Sequence, residues 1–383
     1  MSDRFRFAEE QPELSELPQE KFRLVNMDMD QTDQKFEHKQ IGFFKDAWIR
    51  FTRNKASIAA FIGVLLVVFM AFVGPCMVPY GYNDQNPDHA NLPAKIPLFE
   101  KLGVLDGSRW LNNRPMASVE ELPEGCVMEI GEKVTVIRGV EMVDVKVDYY
   151  RYMGIEEGTA YWFGTDYLGR DLWTRLWRGT RISLLIGVLS TLANCMIGIV
   201  YGSVAGYYGG KVDMVLMRFT EIIHAIPQIV LVTLFILYFG SGLFTIVCAL
   251  LLQNWVSTAN LVRSQFYRFK GQDYVLAARS LGVKDSTLIF RHILPNAIGP
   301  VITRVMTAIP SAIFTEAFLA FLGLGIKPPE TSLGMLLADG QKVIMTYPTQ
   351  VLFPAVVISI LMICFNLMSN GLRDAFDPTQ RGV

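Results

Sequence analysis

Long runs of residues without any charge alternate with charged segments along this 383-residue chain. The four longest charge-free runs are residues 56–83, 182–210, 222–262 and 343–372. A helix needs about 20 apolar residues to cross the hydrocarbon core of a membrane, so each of the three shorter runs predicts one span. Residues 222–262 are too many for one helix, and the Gly240-Ser241-Gly242 triplet predicts a tight hairpin between two spans.

A further span is predicted where charge interrupts the apolar pattern. Residues from about 297 to 320 are apolar apart from Arg304 and Glu316. This segment brings the count to six transmembrane helices, so we expect an all-α polytopic membrane protein. Five of the six spans fall in residues 166–383, which we take as the core of the protein.

The chain before the first span divides into two parts. Residues 1–40 are rich in polar and charged groups with little periodicity and predict a disordered segment. Residues 41–55 carry apolar positions at helical spacing, namely Ile41, Phe44, Ala47, Trp48 and Phe51. This pattern predicts an amphipathic helix on the membrane surface, or alternatively an extension of the first span. The first span, 56–79, has no small-residue cleavage site after it and is expected to be an uncleaved anchor.

Basic residues in the short loops predict the orientation, because cytoplasmic loops carry an excess of Lys and Arg. Five precede the first span closely: Lys39, Lys45, Arg50, Arg53 and Lys55. Six more lie in the loop 263–296: Arg263, Arg268, Lys270, Arg279, Lys284 and Arg291. We therefore expect both termini and this loop in the cytoplasm. Arginines between 170 and 181 oppose this orientation, but they end a long loop, and long loops largely escape the rule.

Residues 80–165 are then an extracellular insertion between the first two spans. Within it, residues 126–150 alternate apolar and polar side chains, which predicts two or three short strands with turns near Gly131 and Gly139. The insertion offers no paired nucleophile and base, so a structural or docking role is favoured over catalysis.

Composition excludes several functional classes. Hydrophobic residues make up 51% of the chain and charged residues 19%, with a net charge of −1. An ordinary soluble enzyme and a basic nucleic-acid binder are both inconsistent with these values. The five cysteines form no CxxC pair, the four histidines have no HExxH spacing, and no GxxxxGK[ST] phosphate loop is present. We therefore expect no metal site and no ATP site in this chain.

The loop 263–296 carries the most informative pattern. Tyr274, Val275, Ala278 and Leu281 share one helical face, and Gly282 suits a helix C-terminus. Asp285 or Ser286 can cap a second short helix, which we expect to end at Pro295. The result is a helix–turn–helix elbow with an apolar face, typical of a partner site. The alternative is that the elbow packs only against this chain.

This elbow resembles the EAA loop of binding-protein-dependent ABC importer permeases. The matching residues are Leu276-Ala277-Ala278, then Gly282, then His292-Ile293-Leu294-Pro295. Leu276 stands where the family has Glu, and His292 stands where it has Ile. The spacing from the glycine to Leu-Pro is intact.

Other segments resemble the oligopeptide and dipeptide permeases, C-type subunit, of the same family. They are FGTDYLGRDLWTRLWRGTRISLLIG at 163–187, RHILPNAIGP at 291–300, EAFLAFLGLGIKPP at 316–329 and FNLMSNGLRDAFDP at 365–378. Residues 91–107 are similar to the outer insertion of the oligopeptide subunit in Gram-positive bacteria. Ser369-Asn370 depart from the usual Gly-Asp. The resemblance implies a type I ABC importer permease fold of six transmembrane helices with a small, partly β extracellular insertion.

The resemblance also implies a set of partners and a cellular location. The chain would be one non-catalytic half of an oligopeptide importer in the bacterial plasma membrane, paired with a second permease as a heterodimer. Two cytoplasmic ATPases would bind ATP and Mg, and an extracellular lipoprotein would bind the peptide, so this chain itself would need no cofactor. The residues implied in ATPase coupling are Tyr274, Val275, Ala277, Ala278, Arg279, Leu281, Gly282, His292, Leu294 and Pro295.

Polar residues inside spans are candidates for the pathway, because they are costly in a membrane. We take five as candidate pathway-lining residues: Asn254, Thr258, Thr307, Ser311 and Glu316. Glu316 is favoured as a structural hydrogen-bonding group over a substrate contact, and Arg304 as a side chain that reaches to the interface. Pro227 is expected to kink its span, and His224 to be a packing residue.

Three other functions compete with an oligopeptide importer. An intramembrane protease would need a Ser/His pair, paired Asp or HExxH within the spans, and the sequence shows none. An ion-coupled carrier would show two similar halves with broken helices at matching positions, and no such repeat is visible. A dipeptide, nickel or other small-solute ABC importer remains the alternative within the same class.

Overall fold

The computed structural model describes residues 42–100, 103–132 and 134–376. The chain forms two compact units, residues 1–46 and 47–383. Of the first unit only residues 42–46 are described, and they include the start of the first helix. The predicted disordered segment 1–40 lies outside the described residues.

The described chain is mostly helical. Its α-helices are α1 Phe43–Arg53, α2 Lys55–Val73, α3 Met116–Glu120, α4 Tyr149–Tyr152, α5 Leu172–Tyr208, α6 Gly210–Ala225, α7 Gln228–Phe239, α8 Leu243–Leu251, α9 Trp255–Phe269, α10 Asp273–Ser280, α11 Asp285–Thr287, α12 Leu294–Leu319, α13 Leu333–Gln341 and α14 Thr349–Phe376. Its strands are β1 Ser108–Pro115, β2 Val127–Ile130, β3 Thr135–Ile137 and β4 Val140–Asp148.

Four to six segments of the described chain are long and apolar enough to cross a membrane. Four are single candidate spans: Lys55–Met77, Leu172–Tyr208, Asp285–Leu324 and Thr349–Phe376. Two more are bent pairs, with 77° between α6 and α7 and 41° between α8 and α9. The hairpin predicted within 222–262 lies between α7 and α8, where Gly240 has φ +81°. The kink predicted at Pro227 is confirmed by the break between α6 and α7, whereas the break between α8 and α9 was not predicted from the sequence.

The first break, between α6 and α7, follows directly from covalent structure. Pro227 stands between the two helices and has no backbone N–H to donate. The second break, between α8 and α9, spans Leu252–Asn254. There the Gln253 side chain donates to the carbonyls of Ile223 and Ile226 at 2.8 and 2.5 Å. Carbonyls left open at one break are thus satisfied by a side chain from the other.

Helix α5 is longer than the predicted span 182–210 and begins at Leu172. Arg175, Arg178 and Arg181 lie within the helix, and each has a partner elsewhere in the chain. Arg178 forms an ion pair with Glu330 at 2.8 Å, Arg181 donates to the Ala71 carbonyl, and Arg175 donates to the Tyr82 carbonyl. The prediction placed the start of the helix too late because it stopped at these charged residues. The sequence alone does not show their tertiary partners.

The strands form one antiparallel sheet in the order β1-β4-β2, with β3 also paired to β4. Alternate residues of β4, Val143, Val145 and Val147, are buried against Val119 of α3. Residues 126–150 thus contain three strands, separated at 131–134 and at Arg138-Gly139.

Helix α1 covers most of the predicted amphipathic segment 41–55, and Asn54 separates it from α2. The Asn54 carboxamide oxygen accepts from the backbone N–H of Ala56 and Ser57 at 3.1 and 3.3 Å, as an N-cap does. Phe51 is buried in a cluster with side chains of α2 and α14, whereas Trp48 is exposed. Part of the predicted apolar face therefore packs against this chain, while the side chains of Ile41 and Phe44 lie outside the described residues.

Candidate functional site

The elbow begins with α10 and ends that helix as the sequence predicts. Leu281 is the C-cap of α10, and Gly282 follows it with φ +77°. This left-handed conformation costs glycine little free energy. The Gly282 N–H donates to the Arg279 carbonyl at 2.9 Å, and the Val283 N–H donates to the Ala278 carbonyl at 3.2 Å. These two bonds form a Schellman motif, so the reversal after α10 has a fixed geometry.

The predicted apolar face of α10 divides between two surroundings. Val275 is fully buried in a cluster with Phe266, Leu288 and Ile293, and Ala278 packs against the same cluster. The other apolar residues here are exposed: Tyr274, Leu276, Ala277 and Leu281, the last with 84% of its surface exposed. One side of the elbow is therefore anchored within this chain, and the other side is open.

Polar contacts fix the elbow to neighbouring helices. The Tyr207 hydroxyl at the end of α5 donates to Asp285 Oδ1 at 2.5 Å, and the Arg279 guanidinium lies 5.3 Å from the Tyr207 ring centre. The Tyr274 hydroxyl accepts from Asn296 Nδ2 at 3.3 Å. These contacts join α10 to α5 and to the helix that follows.

The prediction that Pro295 ends the second helix of the elbow is wrong. The chain stays helical over residues 285–319, passing through a π-helical segment, Leu288–Ile293, into α12, and a kink follows at Gly323, φ +80°. Pro295 lies in the first turn of α12, where a missing N–H is tolerated. His292 and Leu294 are half-buried on either side of the junction, and Pro295 is exposed. The elbow and the predicted fifth span are thus one continuous helical rod.

A polar cavity of about 160 Å³ lies between α5, the two helix breaks and α12. It collects polar side chains from distant parts of the chain: Thr191, Asn194, His224, Gln253, Asn254, Ser257, Thr258, Arg304, Ser311 and Thr315. Asn254, Thr258 and Ser311 were among the predicted pathway residues. Thr191, Gln253 and Ser257 were not, although each is a polar residue within a charge-free run and so carried the same signal.

Two predicted pathway residues lie outside this cavity. Thr307 donates its hydroxyl back to the Arg304 carbonyl at 3.0 Å. Glu316 is completely buried, and its carboxylate accepts from Ser332 Oγ at 2.6 Å and Ser183 Oγ at 3.0 Å. Glu316 therefore joins α12 to α5 and to the start of α13.

Arg304 lies in the cavity wall and donates to the Ser257 hydroxyl of α9. His224 lines the same cavity rather than a packed core. Across the described ranges, no group of three or more His, Cys, Asp or Glu side chains could hold a metal ion. The polar groups of the cavity are therefore hydroxyl, amide, imidazole and guanidinium groups.

Two family profiles match the sequence. A profile described as binding-protein-dependent transport system inner membrane component matches residues 198–382. A second, described as the N-terminal TM domain of oligopeptide transport permease C, matches residues 42–94.

Curated proteins resemble almost the whole chain. The oligopeptide transport system permease protein OppC of Bacillus subtilis (strain 168) is 34% identical over 91% of this chain and 93% of its own length. The dipeptide transport system permease protein DppC of the same strain is 33% identical over 97% of both chains. DppC of Lactococcus lactis subsp. cremoris (strain MG1363) is 35% identical over 93% of this chain and 96% of its own.

Among solved structures, the inward-facing MetNI methionine ABC transporter matches 53% of this chain and 96% of its own, with 18% identity and a TM-score of 0.44. The matches to the three permeases cover 91–97% of this chain. The chain therefore belongs to the family of binding-protein-dependent transport system inner membrane components, alongside the oligopeptide and dipeptide permeases.

Proposed function

We propose that this chain is the permease subunit of an ATP-driven ABC importer for oligopeptides and forms half of its translocation pathway. The relatives that match over 90% or more of the chain are named oligopeptide and dipeptide transport permeases. The observation that carries the proposal is the elbow, which combines an exposed apolar face with a rigid attachment to a helix that lines a polar cavity.

The proposed topology has six spans, with both termini in the cytoplasm of a bacterial cell and residues 80–165 outside. It treats each bent helix pair as one span. The basic residues before α2 and in 263–296 then lie on the cytoplasmic side, in agreement with the positive-inside rule. The four-stranded sheet belongs to the extracellular insertion.

Coupling follows from the continuity of the helical rod over residues 285–319. Val275 packs on Leu288 and Ile293 at one end of the rod, and Ser311 and Thr315 line the cavity farther along it. An ATPase that docks on the exposed face of α10 and moves it would therefore move the cavity wall. Rigid-body motion of packed helices is a common form of such switching.

The proposed complex contains a second permease as heterodimeric partner, two ABC ATPases and an extracellular peptide-binding lipoprotein, all within or at the lipid membrane. ATP and Mg are bound by the ATPases, and this chain contributes no cofactor site and no catalytic group. Members of its family are inner membrane components of transport systems, and hydrolysis belongs to the partner subunits. Purified alone, the chain should hydrolyse no ATP.

An importer for dipeptides, nickel or another small solute is the second candidate. It is favoured by the DppC matches, and by a glutathione transport system permease protein, GsiD of Pectobacterium atrosepticum, 38% identical over 60% of this chain. The resemblance of residues 91–107 to the outer insertion of oligopeptide permeases favours the first candidate.

The test is reconstitution of the chain with its second permease, ATPases and lipoprotein in vesicles. We expect ATP-dependent uptake of a labelled oligopeptide, lost when this chain is omitted and lost when the ATPases carry a substituted phosphate-loop lysine. Uptake of dipeptide or Ni²⁺ with none of oligopeptide would favour the second candidate. Undiminished ATP-dependent uptake without this chain would contradict the proposal.

A further inference from the structure

The polar cavity carries positive charge without an acidic counterpart. Arg304 and His224 are its two titratable basic side chains, and none of the described residues that line it is Asp or Glu. A guanidinium within an apolar helix is costly and marks a functional site by default. Among the described residues its hydrogen-bond partner is the Ser257 hydroxyl, which occupies few of the five N–H donors of an arginine.

Buried groups in the same cavity lack partners. Asn194 and Thr191 of α5 are 6% and 4% exposed, and both line the cavity. Asn194 Oδ1 and Thr191 Oγ1 have no hydrogen-bond partner among the described residues. Buried polar atoms are normally satisfied, so these two point to a ligand that supplies hydrogen bonds in the cavity.

Both helix breaks meet at this cavity as well. Gln253 and Asn254 stand at the α8–α9 break, and His224 stands just before the α6–α7 break. Irregular backbone at membrane depth is tolerated where it lines a cavity, and broken helices commonly form transport sites. The cavity is therefore placed where a transported molecule would pass.

We propose that Arg304 binds the C-terminal carboxylate of the peptide as it passes through the cavity. This inference rests on the proposed peptide-importer function and names the group that the permease itself recognises. A guanidinium binds a carboxylate through two parallel hydrogen bonds. The Asn194 and Thr191 atoms are available to the adjoining amide groups of the peptide. The Ser311 hydroxyl donates to the Thr307 carbonyl at 2.9 Å, so it can only accept from such a group.

The C-terminus fits this role because every unmodified peptide carries it, whatever its side chains. A permease that accepts varied sequences can rely on the groups that all of them share. The N-terminal ammonium is the other shared charge, and the positive cavity repels it. A lipid phosphate offers similar anionic oxygens to Arg304, and vesicles with and without anionic lipid separate the two sources.

The test compares a labelled peptide with a free C-terminus and the same peptide as its C-terminal amide. Uptake of both is measured in phosphatidylcholine vesicles that hold the complete transporter. The lipoprotein is the same in every arm, so its own preference cancels when permease variants are compared. Arg304→Gln should lower free-acid uptake about tenfold relative to the amide, and Arg304→Lys should keep the preference for the free acid.

Thr307→Ala is the matched control, because Thr307 lies on the same helix one turn away and outside the cavity lining. It should leave the ratio of free-acid to amide uptake unchanged. If Arg304→Gln lowers the amount of assembled complex, the result for Arg304→Lys decides. Loss of the preference for the free-acid peptide in Arg304→Lys would contradict the proposal. An equal loss of both peptides, or an effect that needs anionic lipid in the vesicles, would overturn it. A wild-type complex that imports neither peptide would instead contradict the proposed function.

Discussion

At the scale of single residues, Asp171 is the N-cap of α5, and its side chain is almost fully buried. Its Oδ2 accepts from the Thr174 backbone N–H at 2.8 Å, the bond of an N-cap, while Oδ1 has no partner among the described residues. Burial raises the pKa of Asp171 from 3.8 to about 6, and the bonds from Thr174 oppose that shift. The folded protein therefore holds the proton more tightly than the unfolded chain does.

The sign of this shift gives a pH-dependent prediction. A raised pKa stabilises the fold fully below pH 4, and the contribution is lost as the pH rises through about 6. Asp171→Asn keeps a capping oxygen without the charge, so it should raise the midpoint of thermal unfolding in detergent, and more at pH 8 than at pH 5. The full shift corresponds to about 3 kcal/mol.

Asp88→Asn serves as the control, because Asp88 is an exposed carboxyl in the same segment between α2 and α5. Its effect on the unfolding midpoint should be small at both values of pH. A destabilised Asp171→Asn at pH 8 would show that the buried charge itself supports the fold.

Single residues also show what the sequence could predict about the sites. The Gly282 turn was predictable, because a glycine after a short helix has one common use. The sequence did not predict that Ala278 packs inside this chain while Ala277 is exposed. Amphipathic spacing shows which residues share a helix face, but it does not show whether this chain or a partner covers that face. On α12, Arg304, Ser311 and Thr315 recur at helical spacing on the cavity side, whereas Glu316 points toward Ser183 and Ser332.

At the scale of elements, α5 and α9 owe their close contact to glycine. Gly198, Gly202 and Gly206 recur every fourth residue along α5 and face α9. A Cβ added at Gly202 would lie 2.3 Å from the Ala259 carbonyl oxygen, and one at Gly206 would lie 2.6 Å from Phe266 Cβ. Small residues at such spacing let helices pack closely in membranes.

Gly202→Ala should therefore separate α5 from α9 and destabilise the protein by about 1–3 kcal/mol. The measurement is the thermal unfolding midpoint in detergent, compared with Gly271→Ala. A Cβ added at Gly271 would enter open space, and this glycine has no positive φ, so that substitution should be neutral. Equal midpoints for the two variants would contradict the close-packing account.

The elements themselves were predicted unevenly, for identifiable reasons. The lengths of the charge-free runs predicted α2, α5 and α14, because about 20 apolar residues in a row are what a membrane-spanning helix requires. The start of α5 was missed because arginine partners lie elsewhere in the chain, and the end at Pro295 was missed because a π-helical segment precedes the proline. The breaks beside Pro227 and Gln253 divide spans that hydropathy treats as continuous.

At the scale of the whole molecule, the orientation in the membrane is the open prediction. Thr135 in the sheet and Ser280 in the elbow are both exposed, and the proposed topology puts them on opposite sides. With Cys76, an exposed native thiol, replaced by Ser, a membrane-impermeant maleimide should label Thr135→Cys in intact cells. It should label Ser280→Cys only after permeabilisation, and the reverse pattern would refute this orientation.

The exposed face of the elbow is the proposed docking site of the ATPase. Leu281 is its most exposed apolar residue, and Met345, 96% exposed near the start of α14, provides a matched control. Burying an unpaired charge in an interface costs several kcal/mol, so Leu281→Asp should disrupt docking without affecting the packing of Val275.

The decisive measurement is the amount of ATPase that co-purifies per molecule of this chain from membranes. We predict at least a tenfold loss for Leu281→Asp, with normal amounts of the chain in the membrane, and wild-type co-purification for Met345→Asp. Unchanged ATPase per chain in Leu281→Asp, with peptide uptake intact, would contradict the assignment of this elbow as the coupling site.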